Sequence, residues 1–176
     1  MKSKDLDIQV RRLEPYFAVL YESYSIINRI CWQGGLPPCL MRMSHRLSYK
    51  TLAYAQKRSD DHRIVFNASF FRHRNDTEFL LTMAHEMIHI WQYECGGRGG
   101  HGRDFKDEQN RLFGISVPVR RPPGIAIPRD SPMGYVFFMH EIKNLHPIEA
   151  ARKIASCRDH RKCEISFFYS IFKQTK

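Results

Sequence analysis

The sequence predicts an α+β fold, with helices around a small antiparallel sheet and a small C-terminal α/β extension. Three observations predict it. Apolar residues fill 43% of 176 positions and include twelve Phe, eight Tyr and two Trp, enough to bury a core. Stretches of helical period bracket three short runs of strand character. Five of the nine prolines fall within residues 118–132, a stretch that sustains neither a helix nor a central strand and so marks a connection. The expected organisation is a core over residues 1–114, a Pro-rich connection over 115–132 and a basic extension over 133–176.

Each element has its own local reason. Glu14-Pro15 opens an amphipathic helix, with Pro15 tolerated in the first turn and apolar positions at Phe17, Leu20, Tyr21, Tyr24, Ile27 and Cys31. Gly34-Gly35 and Pro37-Pro38 end it. Three strands follow, Leu40–Ser44, Thr51–Gln56 and Arg63–Asn67, and the turn residues Ser59-Asp60-Asp61 suit an antiparallel meander. A second helix starts at Asn75-Asp76-Thr77, any of which could cap it, and runs to Trp91 or Tyr93, where glycines stop it. A third helix, Asp104–Phe113, is closed by Gly114. Beyond the prolines, Tyr135–Met139 and Glu164–Phe172 read as strands and Pro147–Ala155 as a short helix between them.

Charge and cysteine content narrow the function classes. Residues 1–80 carry a net +5, residues 81–113 a net −1 and residues 114–176 a net +6. A basic excess in the flanks, with a pI near 9.6, suits a polyanionic partner, nucleic acid first, although a well-solvated basic surface would carry the same charge. The charged first fifteen residues are no signal peptide, and no apolar run approaches the length of a membrane span. Five scattered cysteines, an odd number, fit a reducing compartment rather than a disulfide framework. The expectation is a soluble, intracellular protein.

The chemistry concentrates in His85–Phe105, HEMIHIWQYECGGRGGHGRDF. Residues four apart on a helix share a face, so His85 and His89 of the H-E-x-x-H can address one ion, with Glu86 beside it. A catalytic zinc takes three protein ligands and leaves a position for water, whose pKa falls from about 15.7 to roughly 7; a neighbouring carboxylate then accepts its proton. Such a pattern alone arises by chance. Two features strengthen it: the helix is apolar nearly all round, so its polar residues need partners, and a third histidine, His101, follows four of the five glycines that fall within residues 96–102. Glycine allows the chain to turn back toward His85 and His89 with little strain.

His85–His89 with Gln92, then Gly100-His101-Gly102 and Phe105, resembles the SprT-like metalloprotease family, whose members share HExxH, a nearby Gln and a GHG leading into a helix with an early Phe. The likeness extends upstream through Asn28 with Gly35-Leu36-Pro37, the strand Arg63–Asn67 and the approach Glu78–Met87, and covers about residues 14–113. It implies a zincin-like core, zinc held by His85, His89 and His101, Glu86 as general base, and cleavage of proteins bound or crosslinked to DNA in a DNA-stimulated manner.

The expected partners are therefore DNA, single-stranded or locally unpaired, and protein substrates held on it, with no membrane and no second subunit. Many relatives carry a zinc ribbon of two Cys-x-x-Cys pairs. This chain has only Cys157 and Cys163 with His160 between them, so the ribbon is reduced or missing, and the two read as ordinary thiols rather than a second zinc site with His140 or His146. Arg120, Arg121, Arg158, Arg161 and Lys162 are the candidate nucleic-acid contacts. The aromatic-basic run Phe70–Arg74 is a further candidate that also suits a core, and Tyr135 and Arg98 are candidate oxyanion stabilisers. The rival readings are a zinc peptidase or amidase without DNA dependence, and a DNA-binding protein with a structural metal site.

Overall fold

Leu6, Val10 and Leu13 keep a helical period ahead of Pro15, and α1 accordingly starts much earlier than its apolar stripe predicted, running Ser3–Trp32 in the computed structural model. Pro15 is thus interior, where it withholds one backbone hydrogen bond, and is not the start signal it resembles. The structure describes residues 3–59, 61–73, 76–115, 126–143 and 149. Leu20, Tyr24, Ile27 and Cys31 form the buried stripe. Gln33 at φ 56° and Gly34 at φ 80° end the helix in the left-handed region, with the Gly34 N–H donating to the Asn28 carbonyl at 3.1 Å. The buried Asn28 amide also holds the exit. Its Nδ2 donates to the Leu36 carbonyl at 3.0 Å, and its Oδ1 accepts from the Leu36 N–H at 3.1 Å.

Strands β1 (Cys39–Ser44), β2 (Ala53–Arg58) and β3 (Asp61–Asn67) form one sheet in the order β1-β3-β2. The expected meander is corrected here. β2 and β3 are an antiparallel hairpin, but β1 pairs with β3 in parallel, Met41 opposite Ile64, so the sheet is mixed. The cause lies in the β1–β2 connection. Asn67 donates from Nδ2 to the carbonyls of Ser48 and Thr51, both at 3.1 Å, and its N–H donates to the Leu52 carbonyl at 2.8 Å. These bonds carry the connection past the end of β3, and β2 lands on its far side.

Alternation then divides the two faces. Cys39, Met41, Ile64 and Phe66 point inward and are buried, and the Phe66 ring lies 5.8 Å from Phe79 of the helix below. Burial pushes the Cys39 thiol up to about 12. Leu40, Arg42 and Tyr54 belong to the outer face and are exposed.

Asn67 also starts α2 (Ala68–His73), a short helix the sequence reading did not anticipate, by accepting the Ser69 N–H on Oδ1 at 3.0 Å. α3 (Asp76–Glu94) follows, with Asp76 and Glu78 in its positive first turn and burial on several sides, from Phe79 and Leu80 to Ile90 and Gln92. α4 covers Arg103–Phe113, close to expectation.

α5 (Pro132–Lys143) replaces the strand expected at Tyr135–Met139. Ser131 caps it: the hydroxyl accepts the Gly134 N–H at 3.0 Å and donates to the Pro128 carbonyl at 2.6 Å, with Pro132 in the first helical position. Cap and proline outweigh the strand propensity of Tyr-Val-Phe-Phe. The expected helix Pro147–Ala155 and strand Glu164–Phe172 lie outside the described residues, apart from Glu149. The chain divides into two compact units, residues 1–110 and 111–176. Among the described residues no helix is long and apolar enough to cross a membrane.

Candidate metal centre

α3 brings the first two donors together by periodicity alone. His85 and His89 sit one turn apart with ring centroids 5.2 Å from each other, both half-buried. His101 comes from the loop before α4, and its ring centroid lies 5.0 Å from His85 and 4.9 Å from His89. One nitrogen from each ring falls within 4.8 Å of the other two, and His85 Nε2 and His101 Nε2 are only 2.9 Å apart. A tetrahedral zinc with bonds of 2.0–2.1 Å separates its ligand atoms by about 3.3 Å. Three imidazoles at this spacing fit zinc. The sequence expectation that these three histidines converge matches the geometry.

The glycines make the convergence possible, though not all in one way. Gly96 and Gly99 take φ 78° and 71°, a conformation that costs a side chain about 1–2 kcal/mol. Gly97 donates its N–H to the Gln92 carbonyl at 2.8 Å, and a Cβ on it would meet that oxygen at 2.9 Å. A Cβ on Gly99 would meet the Tyr93 ring at 2.6 Å, so the loop folds directly against the last turn of α3. Gly100 and Gly102 have open space where a Cβ would go. Only three of the five glycines are therefore required by the return.

Gln92 locks the loop to the helix. Its Oε1 lies 2.9 Å from His89 Nδ1 and 3.3 Å from the Gly100 N–H, while its Nε2 donates to the Gly100 carbonyl at 3.0 Å. An acceptor at Nδ1 holds the proton there and leaves the Nε2 lone pair for a metal. Burial, the main influence, holds the basicity of His89 down, and the nearby His101 adds to the effect against the Gln92 bond. A neutral imidazole is the form that binds metal. The same amide thus orients His89 and anchors the residue before His101.

Phe105 forms the floor. Fully buried in the first turns of α4, its ring centroid is 4.8 Å from His85, 4.8 Å from His89 and 4.7 Å from His101. α4 is tied to α1 by the Trp32 indole N–H, which donates to Glu108 Oε1 at 2.7 Å. Neither contact has a spacing signature: Phe105 and Gln92 stood out in the sequence only by resemblance, and Trp32, Glu108 and Tyr93 did not stand out at all.

Glu86 follows His85 on α3 and is 5% exposed. Burial raises the pKa of the Tyr93 hydroxyl, and the charge of Glu86 raises it further. Of the oxyanion candidates, Arg98 is exposed in the glycine loop, and Tyr135 is buried in the second unit. Arg120, Arg121, Arg158, Arg161, Lys162, Cys157 and Cys163 lie outside the described residues, as does Arg74. Cys31 and Cys39 are buried, and Cys95 is exposed.

The family model described as SprT-like family matches residues 20–121, a span that contains the whole histidine cluster and both helices that build it. No curated protein matches the chain.

Proposed function

The chain belongs to the SprT-like family, and on that footing we propose that it is a zinc-dependent endopeptidase with a zincin-like core, acting inside the cell as a monomer on proteins bound or crosslinked to DNA. The observation that carries the reading is the meeting of His85, His89 and His101 beside buried Glu86. The three imidazoles would hold the metal, whose contribution when bound is to polarise a water and the scissile carbonyl.

The chain's own residues supply the rest. Glu86 takes the proton from the attacking water and returns it to the leaving amine. Gln92 keeps His89 in the tautomer that presents Nε2, and Phe105 excludes water from behind the rings. The DNA part of the reading is supported by the uneven charge, +5 and +6 in the flanks against −1 across residues 81–113. In it, basic groups that include Arg120, Arg121, Arg158, Arg161 and Lys162 hold nucleic acid away from the histidines.

Zinc-loaded wild type and Glu86→Gln, each incubated with a DNA-binding protein with and without single-stranded DNA, test both halves. Wild type should cleave, and faster with DNA. Glu86→Gln should retain zinc and fold while cleavage falls by a factor of at least ~100. Full activity in zinc-replete Glu86→Gln would remove Glu86 from the mechanism. Equal wild-type rates with and without DNA would leave a peptidase without a nucleic-acid partner.

A further inference from the structure

The outer face of the sheet has a chemistry that the metal site does not use. Between Glu22 and Asp60 the chain contains no acidic residue at all, yet it carries Arg29, Arg42, Arg46, Lys50, Lys57 and Arg58. This acid-free stretch includes β1, β2 and the connection between them. The strand register sorts its side chains. Lys57 is on the inner side, where it pairs with Glu94 of α3 at 3.2 Å. Arg42 and Tyr54 lie opposite Val65 on either side of β3, one on each edge strand, and both are exposed.

The β1–β2 connection adds a second group at the end of the same sheet. Tyr49 is 83% exposed, an unusual position for a large aromatic side chain, and the Lys50 ammonium lies 5.6 Å from its ring centroid. The loop that carries them is well held. Besides the two Asn67 bonds to the Ser48 and Thr51 carbonyls, Ser48 Oγ accepts the Lys50 N–H at 3.3 Å and Ser44 Oγ accepts the Arg46 N–H at 3.1 Å. Asn67 pairs with Ser44 two residues beyond the Arg42–Val65 pair, about 7 Å along the strands. Exposed aromatic rings and cations are thus gathered on the two edge strands and the loop that joins them, a stretch without acidic residues, while Asp61, the one acidic residue of the sheet, lies at the opposite end of β3.

We propose that this strip, formed by Arg42, Arg46, Tyr49, Lys50 and Tyr54, binds single-stranded nucleic acid, with bases stacked on the tyrosines and phosphates paired with the cations. The inference rests on the nucleic-acid reading above but assigns contacts to a different part of the chain. Unpaired bases expose the π faces that an exposed tyrosine can stack on, whereas a duplex hides them, so single strands fit and duplexes do not. The charge is complementary, and nothing in the strip distinguishes one base from another, so binding is sequence-tolerant. Arg42 and Tyr54 lie on the sheet face opposite α3, as Phe66 and Phe79 show by meeting on the inner face. Nucleic acid held there leaves the histidines open to a protein substrate.

Fluorescence anisotropy with the full chain and labelled oligothymidine, oligouridine and duplex DNA of equal length tests it. Both single strands should bind more tightly than the duplex, and the oligothymidine and oligouridine arms show whether DNA or RNA is preferred. Tyr49→Ala and Tyr54→Ala should each weaken single-strand binding by roughly tenfold. Arg42→Glu/Arg46→Glu/Lys50→Glu should reduce the magnitude of the salt slope by about 2, at roughly 0.7 per phosphate contact. Zinc content and circular dichroism should stay at wild-type values in all three variants, because none of these side chains contributes to the core. Should wild type bind while these variants bind equally well and Arg120→Glu/Arg121→Glu loses affinity, the strip is wrong and the nucleic-acid reading survives. If wild type binds no oligonucleotide, both fall.

Discussion

After Trp32 the chain leaves α1 through Gly34 and Gly35, and after Glu94 it leaves α3 through Gly96 and Gly97; both exits fold back on the helix they left, but only the second brings a histidine to two others. The first turn uses one left-handed glycine to stop a helix and then departs toward β1, held by Asn28. The second uses left-handed Gly96 and Gly99, packs Gly97 and Gly99 against α3, and delivers His101 to the face that carries His85 and His89. Ending a helix needs a conformation. Returning to it needs that conformation and the absence of a side chain where loop and helix touch. Each turn presses one glycine on a carbonyl of its own helix, Gly35 on Trp32 and Gly97 on Gln92, and the second adds Gly99 against the Tyr93 ring.

Removing the end point of the second turn should have the largest effect. His101→Ala should lose zinc and proteolysis together, about as severely as His85→Ala, and elemental analysis of the purified variants checks it. Full zinc occupancy in His101→Ala would mean the turn serves something other than the metal.

Next comes the floor beneath it. Phe105→Ala should cost about 3–5 kcal/mol of unfolding free energy and weaken zinc binding as well, measured by denaturant titration with and without zinc. A similar stability loss with unchanged zinc affinity would make Phe105 a core residue alone.

The turn itself should respond residue by residue. Gly99→Ala should lower zinc affinity by about 10–100-fold, because the loop must leave Tyr93 and take its anchor to Gln92 with it. Gln92→Ala should fall in the same range. Gly100→Ala should change zinc affinity by less than about twofold, since its φ is ordinary and its Cβ meets nothing within 4 Å. Gly34→Ala in the first turn should cost about 1 kcal/mol of stability and leave zinc affinity alone. Competition titration with a zinc chelator orders the set, and equal responses at Gly99 and Gly100 would break the comparison.

The smallest effect concerns thiols. With its pKa pushed up to about 12 by burial, Cys39 should resist alkylation at pH 8 in the native protein, as should buried Cys31, while exposed Cys95 reacts. Peptide mapping after iodoacetamide treatment reads this directly.

The donors were legible in the sequence because their signals are local. Spacing of four on an apolar helix put His85 and His89 on one face, and a glycine cluster before His101 announced a return. What could not be read was which glycines mattered, since that depends on where Tyr93 and the Gln92 carbonyl lie in space. The sheet shows the same limit: β2 and β3 adjoin through a short turn and paired as expected, whereas the parallel pairing of β1 with β3 depends on Asn67 reaching two carbonyls sixteen or more residues away. α5 failed for a different reason. Ser131-Pro132 is a cap followed by a first-turn proline, a helix signal present in the sequence, and it was outweighed by the strand character of the four residues after Gly134. Pro15 misled in the opposite direction, because a proline that could open a helix here sits inside one.

All three donors, the amide that orients one of them and the ring beneath them fall within residues 85–105, so the whole constellation is short-range along the chain. Contacts of small sequence separation form early in folding, because little chain entropy is lost in closing them. The parallel β1–β3 pairing, which joins residues twenty-three apart such as Met41 and Ile64, must come later on that argument. The ion's binding site would thus be assembled before the sheet is complete, and zinc would act on the order of folding as well as on the finished protein. Refolding from denaturant with zinc present from the start should be faster than refolding with zinc added at the end, followed by stopped-flow fluorescence, and equal rates would place closure of the histidine cluster after the sheet.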